Sequence, residues 1–167
     1  GDGKKEILFT IDETLPPGGA DPGKLGIFLY EADGSGGYNH VWHFVTPDPG
    51  NSLPAMFHAD IDNDGLQEIY FGVPPAVGYN EGSWGTYIFE QNADSTFPGT
   101  ATVLYQYGMT TADNFRPAGY EIYDLDGDGI KELCTVDRGV RRLSIVEPPS
   151  DGFDNLSTFT SEYLDTL

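Results

Sequence analysis

The amino-acid sequence predicts an all-β protein made of repeated units. Short runs rich in β-branched and aromatic residues recur along the chain, and clusters of Gly, Pro, Asn and Asp separate them. No stretch shows apolar residues at a helical period between capping residues. One acidic motif also recurs, because Asp2, Asp64 and Asp128 hold the same place in its three copies and are 62 and 64 residues apart. Together these observations predict a repeat architecture built from strands.

Each full repeat contains four predicted strands, and the acidic motif lies between the first strand and the second. Four strands in about 60 residues is the size of one β-propeller blade. The expected strands are 6–11, 25–31, 40–46, 55–59, 68–73, 85–90, 100–107, 119–123, 132–136, 142–147 and 157–163.

The acidic motif places carboxylates at alternate positions. Asp60, Asp62 and Asp64 occupy positions 1, 3 and 5, Gly65 at position 6 permits a sharp turn, and Glu68 occupies position 9. Carboxylates spaced in this way converge where the backbone wraps, and they repel one another without a cation. An all-oxygen ligand set suits a hard cation, and calcium above others. A solvated acidic turn is the alternative, since Asp and Gly are ordinary turn residues.

Two full calcium sites and a third, incomplete site are therefore predicted. Each full site takes the side chains at positions 1, 3, 5 and 9 and the backbone carbonyl at position 7. The predicted ligands are Asp60, Asp62, Asp64, Leu66 and Glu68 in one loop, and Asp124, Asp126, Asp128, Ile130 and Glu132 in the other. The N-terminal copy begins only at position 5, so Asp2, Lys4 and Glu6 supply part of a cage.

An EF-hand opens with the same Asp-x-Asp-x-Asp-Gly pattern. It also requires a bidentate Glu at position 12 and a helix on each side. Position 12 is Phe71 in one loop and Thr135 in the other, and the flanking segments are short, aromatic and β-prone. Both requirements fail, and an EF-hand is excluded.

The loops with the strands that follow them, 60–74 and 124–136, resemble the FG-GAP/VCBS repeats of β-propellers, the group that includes the integrin α-chain head. The resemblance implies that the acidic loop joins the first two strands of a blade and binds calcium. The sequence departs from that family in carrying Glu68 and Glu132 where Asp is common. Such repeats serve adhesion proteins, secreted enzymes and surface proteins, so an extracellular or cell-surface location is expected.

On this plan the chain is one continuous repeat domain of about three blades. A partial first blade with three strands covers 1–54, the second blade covers 55–118, and the third covers 119–167. Propellers usually close with four to eight blades, so three leave the propeller incomplete and its sheets uncovered. Further blades of the same chain, or self-assembly with neighbouring copies, are expected to supply the missing contacts.

The charge pattern excludes one class of partner. The chain has 8 Lys+Arg against 27 Asp+Glu, for a formal net charge of −19, with no Lys or Arg from Leu25 to Phe115. Because phosphate binding needs a basic face, nucleic acid is not an expected partner. No run of about 18 apolar residues is present, so no membrane span is expected.

Three histidines invite a zinc or catalytic interpretation. His40 and His43 are three apart on one predicted strand, so their side chains are expected on opposite faces. His58 precedes the first full acidic loop, and no motif pairs it with another metal ligand. All three are expected to be ordinary strand residues.

Aromatic density suggests either a core between sheets or a platform that stacks on sugars. The strand residues Tyr30, Trp42 and Tyr87 are expected in the core. For residues in Gly-rich loops, the two interpretations are equally compatible with the sequence: Tyr38, Tyr79 and Trp84.

No nucleophile elbow, phosphate loop or dinucleotide fingerprint is present, and the protein is expected not to be an enzyme. The sequence favours a non-catalytic, calcium-stabilised extracellular propeller module for adhesion, binding or surface assembly, with a protein or glycan ligand that the sequence does not specify. Two alternatives stay open. One is a structural subunit of an extracellular filament or surface layer, and the other is the accessory propeller of a larger secreted polysaccharide-acting enzyme.

Overall fold

A computed structural model describes residues 3–12, 23–50, 54–75, 83–148 and 160–166, and the strands in these ranges form three antiparallel sheets. None of the three sheets closes on itself, and the all-β prediction is confirmed. The first sheet has the order β1-β2-β3, formed by Glu6–Asp12, Lys24–Ala32 and Tyr38–Pro49. The second has the order β4-β5-β6-β7, formed by Ala55–Ala59, Glu68–Val73, Gly85–Glu90 and Val103–Tyr105. The third has the order β11-β10-β9-β8, with β8 Pro117–Tyr123, β9 Glu132–Asp137, β10 Arg142–Glu147 and β11 Thr160–Thr166.

The first and second sheets pack face to face through an aromatic core. Side chains of a strand alternate between its two faces, so one face of β5 carries Ile69, Phe71 and Val73. These meet Leu25 and Ile27 of β2, both fully buried. The contact is entirely apolar in its centre, and burial of such large side chains is the main force that holds the two sheets together.

The second and third sheets pack through a core that also contains hydroxyl groups. The opposite face of β5 presents Tyr70, which lies against Tyr120 of β8 with ring centroids 6.4 Å apart. Thr86 of β6 donates a hydrogen bond to the Tyr107 hydroxyl at 3.0 Å, and its oxygen is 2.7 Å from that of Tyr120. Burial raises the pKa of Tyr107 well above its ordinary value, so its hydroxyl stays neutral.

A bulge in β3 corrects the prediction for His40 and His43. The pairing of β2 with β3 shifts between Leu29, which faces Trp42, and Tyr30, which faces His40. Val41 is the extra residue, and it returns His40 to the same face as His43. The two imidazole centroids are 5.0 Å apart, so the expectation of opposite faces is wrong.

The aromatic residues divide largely as their strands predict. Trp42 and Tyr87 are buried in the core between the first two sheets, and Tyr30 is half-buried. Trp84 is also buried, against Phe115 at a centroid distance of 5.8 Å, which removes it as a sugar platform. Tyr38 is 51% exposed, and Tyr79 lies outside the described residues.

Within the ranges that the structure describes, no helix has the length and apolar character that crossing a membrane requires.

Candidate metal centre

The first acidic loop, residues 60–68, connects β4 to β5 and wraps around its own carboxylates. Its backbone turns because Asn63 and Gly65 adopt positive φ angles of 62° and 91°. Asp60 Oδ2 accepts a hydrogen bond from the Gly65 N–H at 3.1 Å. Asp64 Oδ1 accepts one from the Leu66 N–H at 2.7 Å. These contacts fix side chains at alternate positions on the inside of the turn.

The second acidic loop, residues 124–132, repeats this construction between β8 and β9. Gly127 and Gly129 have φ angles of 84° and 99°. The Gly129 N–H donates to Asp124 Oδ2 at 3.1 Å, the counterpart of the Gly65 contact. The Ile130 N–H donates to Asp128 Oδ1 at 2.8 Å, the counterpart of the Leu66 contact. Equal spacing in sequence therefore produces similar backbone turns in the two loops, and the second loop adds a hydrogen bond from the Gly127 N–H to Asp124 Oδ1 at 2.7 Å.

The carboxylates of each loop converge on a common point. Each of the residues in a group offers one oxygen, and these oxygens all lie within 4.8 Å of one another. The second loop brings together Asp124, Asp126, Asp128 and Glu132. The first brings together Asp60, Asp62 and Glu68, while the Asp64 carboxylate does not join that group. The carbonyls of Leu66 and Ile130 stay predicted ligands.

The surroundings of the Glu68 side chain indicate whether a cation fits the first loop. Its side chain is fully buried, and its Oε2 accepts a hydrogen bond from the Ile61 N–H at 2.7 Å. Its other oxygen, Oε1, is buried with no hydrogen-bond partner among the described residues, and the same holds for Asp60 Oδ1. Buried polar atoms are nearly always paired, and a cation between these two carboxylate oxygens would satisfy both of them, so the first loop fits a metal ion.

The electrostatics of Glu68 agree with that interpretation. In the cation-free chain, burial raises the pKa of Glu68 to about 8, and Asp62 and Asp60 add to the rise. The Ile61 N–H acts in the opposite direction and does not compensate. A divalent cation would supply the positive charge that this carboxylate lacks, and the oxygen-only donor set fits calcium.

The two acidic loops touch each other through Lys131. This residue occupies position 8 of the second loop, and its Nζ donates a hydrogen bond to the backbone carbonyl of Asp60 in the first. The contact joins residues 71 apart in sequence. Sequence reasoning missed it, because the side-by-side placement of β4 and β8 that permits it is a tertiary feature.

The third, incomplete site is not assembled by the described residues. Glu6 is exposed and stands outside both carboxylate groups, and Asp2 lies outside the described residues. The Lys4 ammonium instead pairs with Glu31 Oε1 at 2.5 Å. This ion pair joins the start of β1 to the far end of β2.

Sequence reasoning also missed a buried carboxylate in the third sheet. Asp137 is fully buried, and its Oδ1 accepts hydrogen bonds from the N–H groups of Arg116 at 3.1 Å and Gly139 at 2.6 Å. It ties the loop before β8 to the turn after β9. The Asp-x-Gly sequence of that turn was the available signal.

Fold and site together define a class: an all-β protein of stacked antiparallel sheets that carries two acidic loops of the same construction. No family model, no curated protein and no solved structure matches the chain.

Proposed function

We propose that the chain is a calcium-stabilised, non-catalytic repeat module that acts in binding or assembly outside the cell. The observation that carries the proposal is the first acidic loop, where a fully buried carboxylate, Glu68, has an unpaired oxygen beside Asp60 and Asp62. In a solvated acidic turn, a carboxylate would stay in contact with water, because burying it without a partner costs free energy. The second loop supplies an independent copy of the arrangement with four converging carboxylates.

At each site, residues of the same loop orient the ligands. The three Asp side chains of the second loop are held by N–H groups of that loop, so they are oriented before a cation arrives; in the first loop Asp60 is held in the same way, while Asp64 is held outside the group. The Glu at position 9 begins the next strand and reaches back into the loop. Bound calcium supplies charge neutralisation. Because the ligands come from one loop and the strand it enters, the cation would fix the angle between them.

A more specific proposal about the fold is that the sheets are blades of a propeller of the FG-GAP/VCBS type. Three features support it: four-stranded antiparallel sheets in sequential order, acidic loops between their first and second strands, and face-to-face stacking of successive sheets. The first sheet has three described strands and lacks a counterpart of β4 and β8. An extracellular or surface location follows from the need for abundant calcium at exposed Asp-rich loops.

Assembly is a second candidate function, and exposed apolar side chains favour it. Phe9 and Ile7 of β1 are 36% and 42% exposed, and Val136 of β9 is 45% exposed. These side chains occupy the outer faces of the first and third sheets, whereas the inner faces are packed. A further sheet, from the same chain or another copy, would cover them as the second sheet covers its two neighbours.

The calcium proposal is tested by isothermal titration of the metal-free chain. Two calcium ions should bind, and Asp62→Asn and Asp126→Asn should each remove one. Glu121→Gln is the matched control, since Glu121 is an exposed acid of β8 outside both loops. Stoichiometry that is the same in all four proteins would refute the assignment.

A further inference from the structure

A pair of histidines forms a second cluster of metal-ligating side chains, away from the acidic loops. His40 and His43 are both exposed on β3, and their ring centroids are 5.0 Å apart. Trp42 between them points the other way, into the core, where its Nε1–H donates to the Pro98 carbonyl at 2.9 Å. This anchor and the bulge at Val41 fix both imidazoles on one face.

Aromatic rings support the histidine pair from the adjacent strand. Phe28 of β2 stacks on the His43 ring at a centroid distance of 5.6 Å and an interplanar angle of 9°. The Tyr30 ring lies 5.2 Å from that of His40. These contacts limit the rotamers of both histidines, so less conformational entropy is lost when a ligand holds them.

The separation of the rings matches two imidazoles on one metal ion. A zinc–nitrogen bond is about 2.0–2.1 Å, which places each ring centroid about 3.2 Å from the ion. At a tetrahedral angle, two such centroids are about 5.2 Å apart. The observed 5.0 Å is close to this separation, and rotation of each side chain has to turn one ring nitrogen toward the shared ion.

We propose that His40 and His43 form a binding site for a borderline divalent cation, zinc in the first place. Neutral imidazole is a preferred ligand for zinc and its neighbours in the first transition row, whereas the carboxylates of the acidic loops select hard cations. The two protein ligands leave further coordination positions to water or to a ligand from another molecule. The strand register places both histidines on the outer face of the first sheet, the face that carries Phe9, so a molecule that covers that face can supply the remaining ligands.

The test is a titration of the calcium-saturated chain with zinc at pH 7.5, with the heat of binding measured by isothermal titration calorimetry. Calcium occupies the carboxylate loops and removes them as competitors. The variants are His40→Gln, His43→Gln and His58→Gln, and the last is the matched control because His58 is an exposed histidine on β4. The parent and the control should each bind one zinc ion. The other two variants should bind zinc at least about tenfold more weakly.

A parent chain that binds no zinc would overturn the proposal, as would zinc binding in His40→Gln or His43→Gln that is as tight as in the parent. Nuclear magnetic resonance of the parent chain provides a readout without substitution. Zinc should shift the ring signals of two of the three histidines and leave His58 unchanged. Shifts at His58, or at none, contradict the assignment. Zinc bound at the acidic loops alone would leave the ring signals of His40 and His43 unshifted, so the two sites are distinguished.

Discussion

The backbone N–H of Ile61 donates a hydrogen bond to the Glu68 carboxylate at 2.7 Å, joining the second position of the first acidic loop to the ninth. The second loop has the equivalent contact, from the Leu125 N–H to Glu132 at 2.6 Å. Glutamate is one methylene longer than aspartate, and that length lets the first residue of a strand reach back across its own loop. The contact closes each loop in the absence of a cation.

Removal of calcium should destabilise the protein. Each site held at a hundredfold excess of calcium over its Kd contributes about 2.7 kcal/mol of stability. That corresponds to a fall of about 5–11 °C in Tm per site when a chelator is added. Differential scanning calorimetry with and without chelator measures the change, and returned calcium should restore the Tm. Identical melting curves would contradict the calcium proposal.

The Glu68→Gln variant should show opposite effects with and without calcium. In the calcium-free chain the pKa of Glu68 is raised from 4.5 to about 8, so the folded state holds this proton more tightly than the unfolded state. The associated stability is complete below pH 4.5 and is lost as the pH rises through 8. Glutamine carries no charge at any pH and avoids that loss, while its amide oxygen can still accept the Ile61 N–H.

In chelator at pH 9, Glu68→Gln should therefore unfold at a higher denaturant concentration than the parent. With calcium at the same pH the order should reverse, because the variant lacks one ligand charge. Glu121→Gln serves as the control for removing one exposed charge. A variant less stable than the parent in both conditions would show that the buried carboxylate is satisfied without a cation.

Gly72→Ala should weaken the contact between the second and third sheets. A Cβ at Gly72 would lie 2.1 Å from the Tyr120 hydroxyl oxygen and 2.5 Å from Pro117 Cγ. Overpacking of this kind typically costs about 1–3 kcal/mol. Gly119→Ala is the control, because a Cβ there meets nothing within 4 Å. Urea unfolding midpoints compare the two, and equal midpoints would mean that the sheets separate enough to admit the methyl group.

Thr86→Val should destabilise the same interface without changing its volume. The substitution removes the partner of the buried Tyr120 hydroxyl across the interface, whereas the Tyr107 hydroxyl keeps its hydrogen bond with Thr135. An unsatisfied buried hydroxyl costs about 1–3 kcal/mol. Thr100→Val, at an exposed loop position, controls for the exchange itself. Unfolding free energies that fall equally in both variants would show that the hydroxyl bonds contribute nothing.

Much of the strand pattern was predictable, because alternation and turn residues are local signals. The runs 55–59, 68–73, 85–90 and 142–147 agree with β4, β5, β6 and β10 residue for residue. The run 100–107 is too long, and the observed strand is Val103–Tyr105. Tyr107 and Gly108 adopt positive φ angles of 52° and 62°, which end the extended conformation.

The parts of the site that were not predictable depend on contacts between strands. The β3 bulge arises from its pairing with β2, so the residues 40–43 alone predicted opposite faces. The Lys131 contact with Asp60 requires two sheets to be adjacent. In contrast, the convergence of Asp124, Asp126 and Asp128 follows from loop spacing and glycine conformation, which the sequence states directly.

The hydroxyl group of Thr86 makes one of the two sheet interfaces directional. Apolar side chains alone tolerate small translations, and the aromatic surface between the first and second sheets is held in place by the hydrogen bond from Trp42 Nε1–H to the Pro98 carbonyl. Between the second and third sheets, a slide would pull Tyr120 of β8 away from Thr86 of β6 and leave its buried hydroxyl without that partner. A directional polar contact therefore aligns each of the two sheet interfaces, from Trp42 at the first and from Thr86 at the second.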